Sequence, residues 1–393
     1  MVRSILLGVL CSITAILPTS IATPVTSYPY TSSRSVVARN ESASSGSFIS
    51  NTSSPSYPNP ETCKGNCTWS HDPSIIESGG TYYRFTTSGN IAITTAPSLE
   101  GPWTYQGAVL TNGTSIALND RQDIWAPNVV KFGNTYYCYY SVSFLGTQES
   151  LIGVATSKSL KPGTWTDYGN FNIPKSSAYN LIDPAVIQET PDSPIYFTWG
   201  SFWDGIFQAK ITEDQLLDFT AGVKKSNTTS AINSNANTTT PTRYLPSITN
   251  IARNGSTGAD VVEGATIYKS SENNKYYLFF SAGNCCAVPP NLPEPGHEYR
   301  AMVCRSDSVE GPFVDKEGRA CLGEDGSFGG TTVLSSHGDV FAPGGGGVLD
   351  YGGRTVMYYH YVKPSLGFDA TQFQFGFNYL EFQNGWPVAV SKY

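Results

Sequence analysis

A chain of 393 residues with 14% charged side chains, a net charge of -7 and no basic cluster is a poor match for a polyanion such as nucleic acid; a neutral polymer suits it better. Its 24 Tyr and 38 Gly depart from a helical composition and point to many short strands joined by tight turns. With four His and no CxxC pair, a zinc site is disfavoured.

The chain begins MVRSILLGVLCSITAILPTSIA, where Arg3 precedes an apolar run that ends on small residues at Ser20 and Ala22. That is the pattern of a cleaved signal peptide over residues 1–22. The run is short for a spanning helix and no second candidate follows, so an extracellular protein without a membrane partner is expected. Residues 23–60 are Ser, Thr and Pro with few large aliphatic side chains, too little apolar surface to offset the entropy of ordering them. They read as a disordered or O-glycosylated leader. Sequons at Asn40, Asn51, Asn66, Asn112, Asn227, Asn237 and Asn254 fit a secretory route. Once Cys11 leaves with the signal peptide, seven cysteines remain where disulfides persist, so one stays unpaired. Cys63 with Cys67 and Cys304 with Cys321 are the expected pairs, although spacing alone does not fix connectivity.

Residues 61–393 carry a repeat. GGTYYRFTTS at 79–88, FGNTYYCYYSVS at 132–143, DSPIYFTWGSF at 192–202, NNKYYLFFSAG at 273–283 and GGRTVMYYHYV at 352–362 each join a turn to an aromatic strand. Before them come HDPSII at 71–76, WAPNVV at 125–130, IDPAVI at 182–187, VEGATI at 262–267 and FAPGGGGV at 341–348, the first strand of the same unit. SLEGPW at 98–103, SLKPGTW at 159–165 and SVEGPF at 308–313 hint at a later strand, with a buried aromatic closing the sheet. Five such units predict an all-β, five-bladed β-propeller, since radial closure hides the edges that separate hairpins would expose.

The first strand of each blade lines the central channel, so equivalent positions converge there. The column reads Asp72, Ala126, Asp183, Glu263 and Ala342, placing three carboxylates from three blades around one axis. Like charges held close raise one another's proton affinity, a cost that folding avoids unless chemistry or a cation uses it. With no phosphate loop and no nucleophilic Ser-His set, paired carboxylates suit glycosidic hydrolysis: one acid protonates the leaving oxygen and one base activates water.

These motifs, with YYSVSFLGTQESLIGVATS at 139–157, WGSFWDGI at 199–206, AGNCCA and RSDSVEGPF, resemble glycoside hydrolase family 43 and its endo-1,5-α-L-arabinanases from Asn66 onward. The resemblance implies a secreted, inverting hydrolase of arabinan or arabino-oligosaccharides. In it Asp72 is the general base, Glu263 the general acid, and Asp183 the residue that raises and positions the acid. Ser201, Phe202 and Trp203 look like the substrate-cleft signature, and His71, Trp125 and Asn180 are further substrate-binding candidates; a furanose ring stacks readily on an indole such as Trp125 or Trp203. One departure concerns a metal. Many arabinanases carry a His in a GPGH segment at the start of the fifth blade, where it helps hold a central ion with waters, and this chain has glycines at 344–347. Either His337 takes over, holding a channel-bound calcium or sodium ion, or no cofactor is required. An exo-acting α-L-arabinofuranosidase or β-xylosidase on the same fold is the alternative activity, a non-catalytic sugar-binding propeller is a remoter one, and a monomer is expected.

Overall fold

Where a glycine-rich pair separates two runs of β-branched and aromatic residues, the chain reverses in two residues. In the computed structural model, which describes residues 57–223, 245–256, 261–287, 289–324 and 326–392, Ser78 pairs with Thr81 around Gly79-Gly80 and Tyr351 with Arg354 around Gly352-Gly353. All four glycines have positive φ, as two-residue hairpin loops require. The expected signal peptide, the leader up to residue 56, and the sequons at Asn40, Asn51, Asn227 and Asn237 lie outside the described residues.

Each aromatic phrase becomes the second strand of a four-stranded antiparallel sheet, and the five sheets are the blades of a five-bladed propeller. Blade 1 holds β1 (Ser74–Ser78), β2 (Thr81–Thr86), β3 (Ala92–Ala96) and β4 (Thr104–Ala108). Blade 2 holds β5 (Asp123–Phe132), β6 (Thr135–Ser143), β7 (Ser150–Ser157) and β8 (Thr166–Asn170). In blade 3 these are β9 (Ala185–Ile187), β10 (Ile195–Trp199), β11 (Ile206–Ile211) and β12 (Ile248–Ala252). Blade 4 follows with β13 (Val262–Lys269), β14 (Tyr276–Ala282), β15 (Arg300–Ser306) and β16 (Thr331–Leu334). Blade 5 closes the set with β17 (Phe341–Tyr351), β18 (Arg354–Val362), β19 (Gln374–Gln383) and β20 (Trp386–Val390). The innermost strands form a ring: β1 touches β5, β5 touches β9, β9 touches β13, β13 touches β17, and β17 returns to β1.

The core lies between blades rather than within them. Tyr139 and Val154 of blade 2 pack with Phe197 and Trp199 of blade 3, and Tyr277 and Phe279 of blade 4 pack with Met357 and Tyr359 of blade 5. Middle strands are therefore buried on both faces, which is why β10 reads Ile-Tyr-Phe-Thr-Trp without polar alternation. The segments at 98–103, 159–165 and 308–313 are polar turns ahead of the fourth strand, with Trp103 and Phe313 buried as expected.

Each sheet uses four consecutive strands, so no strand exchange locks the ring. The N-terminal segment does this instead. Glu61 N–H donates to Phe377 O, Phe375 N–H to Cys67 O, and Asn66 N–H to Trp103 O, stitching blade 5 to blade 1. Residues 57–60, assigned to the leader by composition, are part of this seam: Asn378 Nδ2 donates to Asn59 O at 2.8 Å. Cys63–Cys67 and Cys304–Cys321 pair as expected, and Cys138 is free and buried. A third disulfide, Cys285–Cys286, joins chain neighbours. Among the described residues no helix is long and apolar enough to cross a membrane.

Candidate active site

At or just before the head of each innermost strand the chain passes through a left-handed residue: Asp72 (φ 44°), Ala126 (43°), Asp183 (55°), Gly264 (61°) and Ala342 (54°). Four of these are not glycine, and such strain costs roughly 1–3 kcal/mol each unless the surroundings enforce it. Here each backbone N–H finds a side-chain acceptor. Asp72 N–H donates to His360 Nδ1 (3.1 Å), Ala126 N–H to Thr87 Oγ1 (2.6 Å) and Asp183 N–H to Ser141 Oγ (2.9 Å). Gly264 N–H donates to Asp183 Oδ2 (3.1 Å) and Ala342 N–H to Ser336 Oγ (3.0 Å). The sequence column thus matches in the first three blades; in blade 5 the register and the Ser281 acceptor make Gly345 (φ 57°), three residues past Ala342, the equivalent of Asp72. In blade 4 the left-handed position falls one residue after Glu263, on a glycine.

The three carboxyls reach one field but not one environment. Burial alone would raise Asp72, yet the charge and 2.7 Å hydrogen bond of His71 Nδ1, with His360 nearby and Thr87 Oγ1 donating at 2.8 Å, hold it below the usual carboxylate range. Asp183 goes the other way: burial, then the charges of Glu263 and Asp72, push it well up, against one backbone donor. Glu263 is also raised, chiefly by burial, although Ser201 Oγ donates to its Oε2 at 2.7 Å and Tyr299 donates as well. The ring therefore lowers the proton affinity of one carboxyl and raises that of the other two.

His360 was not anticipated. Its imidazole stacks on His71 with centroids 4.0 Å apart and on Tyr299 at 5.9 Å. Because Nδ1 accepts the Asp72 N–H, it is the unprotonated nitrogen, and burial with His71 beside it drops the pKa to about 3. His71 itself is raised: burial opposes its charge, but Asp72 outweighs this. The glycine run at 344–347 makes room for the stack. A Cβ on Gly345 would meet His360 Cε1 at 2.5 Å and Asp72 Oδ1 at 2.6 Å, and one on Gly344 would meet Tyr299 Cε1 at 2.3 Å.

His337 is a correction to the metal expectation. Its Nδ1 lies 2.7 Å from Ser335 O and its Nε2 3.0 Å from Pro58 O, with Tyr57 against the ring, so neither nitrogen is spare for an ion. At the axis, His71, Asp72 and His360 offer donor atoms within 4.8 Å of one another. Two imidazoles and one carboxylate are not the six to eight oxygens that calcium takes, and one nitrogen of each imidazole is already engaged with Asp72. The donor set does not fit a directly bound calcium or sodium ion.

Of the substrate-binding candidates, His71 and Ser201 touch the Asp72 and Glu263 carboxyls directly. Trp125 is half-buried on β5, one residue before Ala126. Asn180 is buried with its Oδ1 lacking a hydrogen-bond partner. Phe202 and Trp203 occupy a left-handed turn after β10, with Trp203 46% exposed. The residues that sequence reasoning passed over, His360, Tyr299 and Thr87, had one signal: aligning YYSVS, FFSAG and YYHYV sets His360 in the place of Ser141 and Ser281. Ser281 does the corresponding work for blade 5, accepting Gly345 N–H at 2.9 Å.

Residues 68–387 match the family model of Glycosyl hydrolases family 43. Arabinan endo-1,5-alpha-L-arabinosidase A of Aspergillus niger is 43% identical over 337 residues, 84% of this chain and 94% of that protein. The protein of the same name from Aspergillus aculeatus is 42% identical over 339 residues, again 84% of this chain and 94% of its own. The endo-arabinanase of Bacillus licheniformis is similar in structure with a TM-score of 0.63 at 26% identity, over 83% of this chain and 99% of its own. The Cellvibrio cellulosa alpha-L-arabinanase complexed with arabinohexaose has a TM-score of 0.65 at 24% identity, over 83% and 96%, a likeness of fold. With three blades each contributing a carboxyl to its axis, the chain is a glycoside hydrolase and belongs to glycosyl hydrolases family 43.

Proposed function

We propose that the protein is a secreted endo-arabinanase that hydrolyses the α-1,5-linked L-arabinan of plant cell walls with inversion, acting as a monomer on arabinan and arabino-oligosaccharides. The observation that carries this reading is the opposed environments of Asp72, whose proton affinity His71 and Thr87 lower against the pull of burial, and Glu263, whose proton affinity burial raises. Asp72 takes a proton from a water as that water attacks the anomeric carbon. Glu263 gives its proton to the departing oxygen of the next arabinose. Asp183 keeps Glu263 in register through the Gly264 N–H and, when ionised, raises its proton affinity by like charge. After turnover Asp72 is protonated and Glu263 ionised, and exchange with solvent restores both. No step is assigned to a metal ion. Endo action follows the named activity of the fungal relatives at 42–43% identity, and secretion follows the N-terminal pattern of residues 1–22.

Two measurements test it. Debranched linear arabinan should yield a spread of short oligosaccharides early in the reaction; arabinose alone would mean exo attack. NMR of the first-formed hemiacetal should show the anomeric configuration opposite to that of the substrate, and retention would refute the base role of Asp72.

A further inference from the structure

Cysteines next to each other in sequence cannot fasten distant parts of a fold, and the loop their bond closes is too short to restrain the unfolded chain much. The Cys285–Cys286 disulfide therefore contributes little to global stability. Its location suggests other work. The loop that carries it leaves β14 directly after Ser281 and Ala282, which pair with Glu263 and Val262. Its base is fixed by the bridge between Asn284 and Glu298 and by Gly283, where a Cβ would lie 2.3 Å from Glu298 O. From there it crosses to blade 1, setting Cys286 Sγ 3.3 Å and Cys285 Sγ 3.8 Å from His71 Nε2. His71 Nδ1 in turn holds Asp72. Cys286, with a left-handed φ of 63°, is exposed, and Cys285 is half-buried. A rigid, uncharged sulfur surface thus faces solvent one imidazole away from the carboxylate assigned as the base.

We propose that the Cys285–Cys286 disulfide is a substrate-binding element of the cleft, packing against the apolar C–H face of the furanose unit held beside Asp72. A neutral sugar offers no charge to grip, so its ring must be fixed by hydrogen bonds and by flat apolar surfaces. On this side of the mouth the sulfur pair supplies such a surface, as Trp203 does from blade 3. This inference rests on the arabinanase reading above, with the disulfide deciding how tightly a furanose is seated rather than whether the proton transfers occur.

The test compares wild type with the Cys285→Ala/Cys286→Ala double variant on linear arabino-oligosaccharides, with circular dichroism and thermal unfolding as controls. The expected result is a KM raised by about five- to tenfold, the scale of one lost apolar contact in a pocket, with kcat within about threefold of wild type. Dithiothreitol, which gives two electrons to the S–S bond to leave two thiols and itself closes to a cyclic disulfide, should raise the KM of wild type likewise. It also reaches the other two disulfides, so its effect should be absent from the double variant. If the double variant does not fold, reduction of wild type, with alkylation of Cys285 and Cys286 read by mass spectrometry, carries the same test. An unchanged KM overturns the proposal, and so does a fall in kcat with a shifted pH profile at constant KM, which would make the pair a positioning device for His71. Wild type that leaves arabino-oligosaccharides uncut would defeat the functional reading itself, whereas wild type that cuts them with a KM indifferent to the disulfide defeats this inference alone.

Discussion

At the seam between blades 5 and 1, Trp103, Phe375, Phe377 and Tyr379 bury together, and even the buried cation Arg84 is sandwiched by the rings of Trp103 and Phe375 at 4.7 and 4.6 Å. At the axis, where these blades meet blades 3 and 4, carboxyls and imidazoles are drawn together beside strained backbone. The seam spends apolar area on holding the ring shut, at about 25 cal/mol per Å². The axis consumes part of that stability to hold groups whose proton affinities burial and neighbouring charges have shifted. Substitutions in the two regions should therefore separate activity from stability.

The largest effect belongs to the axis. Asp72→Asn and Glu263→Gln should each lower kcat by roughly 10²–10⁴-fold, the range for a lost general base or acid, with unchanged circular dichroism. Near wild-type turnover from either variant would remove it from the mechanism. Asp183→Asn should also lose most activity while gaining stability. The folded pKa of Asp183 lies above its unfolded value, so as pH rises past the ordinary carboxylate range the unfolded state has released a proton that the folded state still binds, and stability falls across that window. The amide carries no such penalty. Its Tm should exceed that of wild type at pH 7 by about 2–4 °C, and the gain should vanish near pH 4. Calorimetry showing no gain at pH 7 would mean that the axis carries no such cost.

The seam should behave in the reverse way. Replacing Cys63 and Cys67 by Ser opens a very short loop and should cost about 2 kcal/mol, read as a lower denaturation midpoint, with kcat at 25 °C retained. Loss of kcat at full folding would show that the two regions are mechanically coupled.

The same contrast explains what the sequence disclosed. The five aromatic phrases were legible because a strand buried between two blades must be apolar on both faces, and that pattern survives in one dimension. Asp72, Asp183 and Glu263 were legible because the repeat aligned them. His360 was hidden inside one of those phrases, since its role depends on reaching back to the Asp72 amide, 288 residues away. Tyr299 lies on no repeat. The partners of Cys285 and Cys286 could not be read from spacing, because their placement against His71 depends on a loop crossing the channel mouth.

A smaller effect tests the imidazole that holds the base. His71 lowers Asp72 by charge and hydrogen bond against the pull of burial. In His71→Ala the burial remains and the compensation is lost, so Asp72 binds its proton at higher pH and the acid limb of kcat/KM should move upward. An unmoved acid limb would indicate that Thr87 and His360 suffice.

The smallest effect on activity is expected at His337, and it decides to which region that residue belongs. The glycines at 344–347 made it the candidate to hold an axial ion, but its nitrogens face Ser335 O and Pro58 O, and Tyr57 lies on its ring. These contacts tie the N-terminal segment to the approach of blade 5, so His337 is a seam residue. His337→Ala should then cost about 1 kcal/mol of stability, the scale of a net hydrogen bond, while kcat/KM stays within about twofold. Chelator treatment should leave wild-type activity unchanged, because the donors gathered at Asp72 are two imidazoles engaged with that residue rather than a cage of oxygens. A sharp loss of activity in His337→Ala with unchanged Tm, matched by chelator inhibition, would return the residue to the axis and an ion with it.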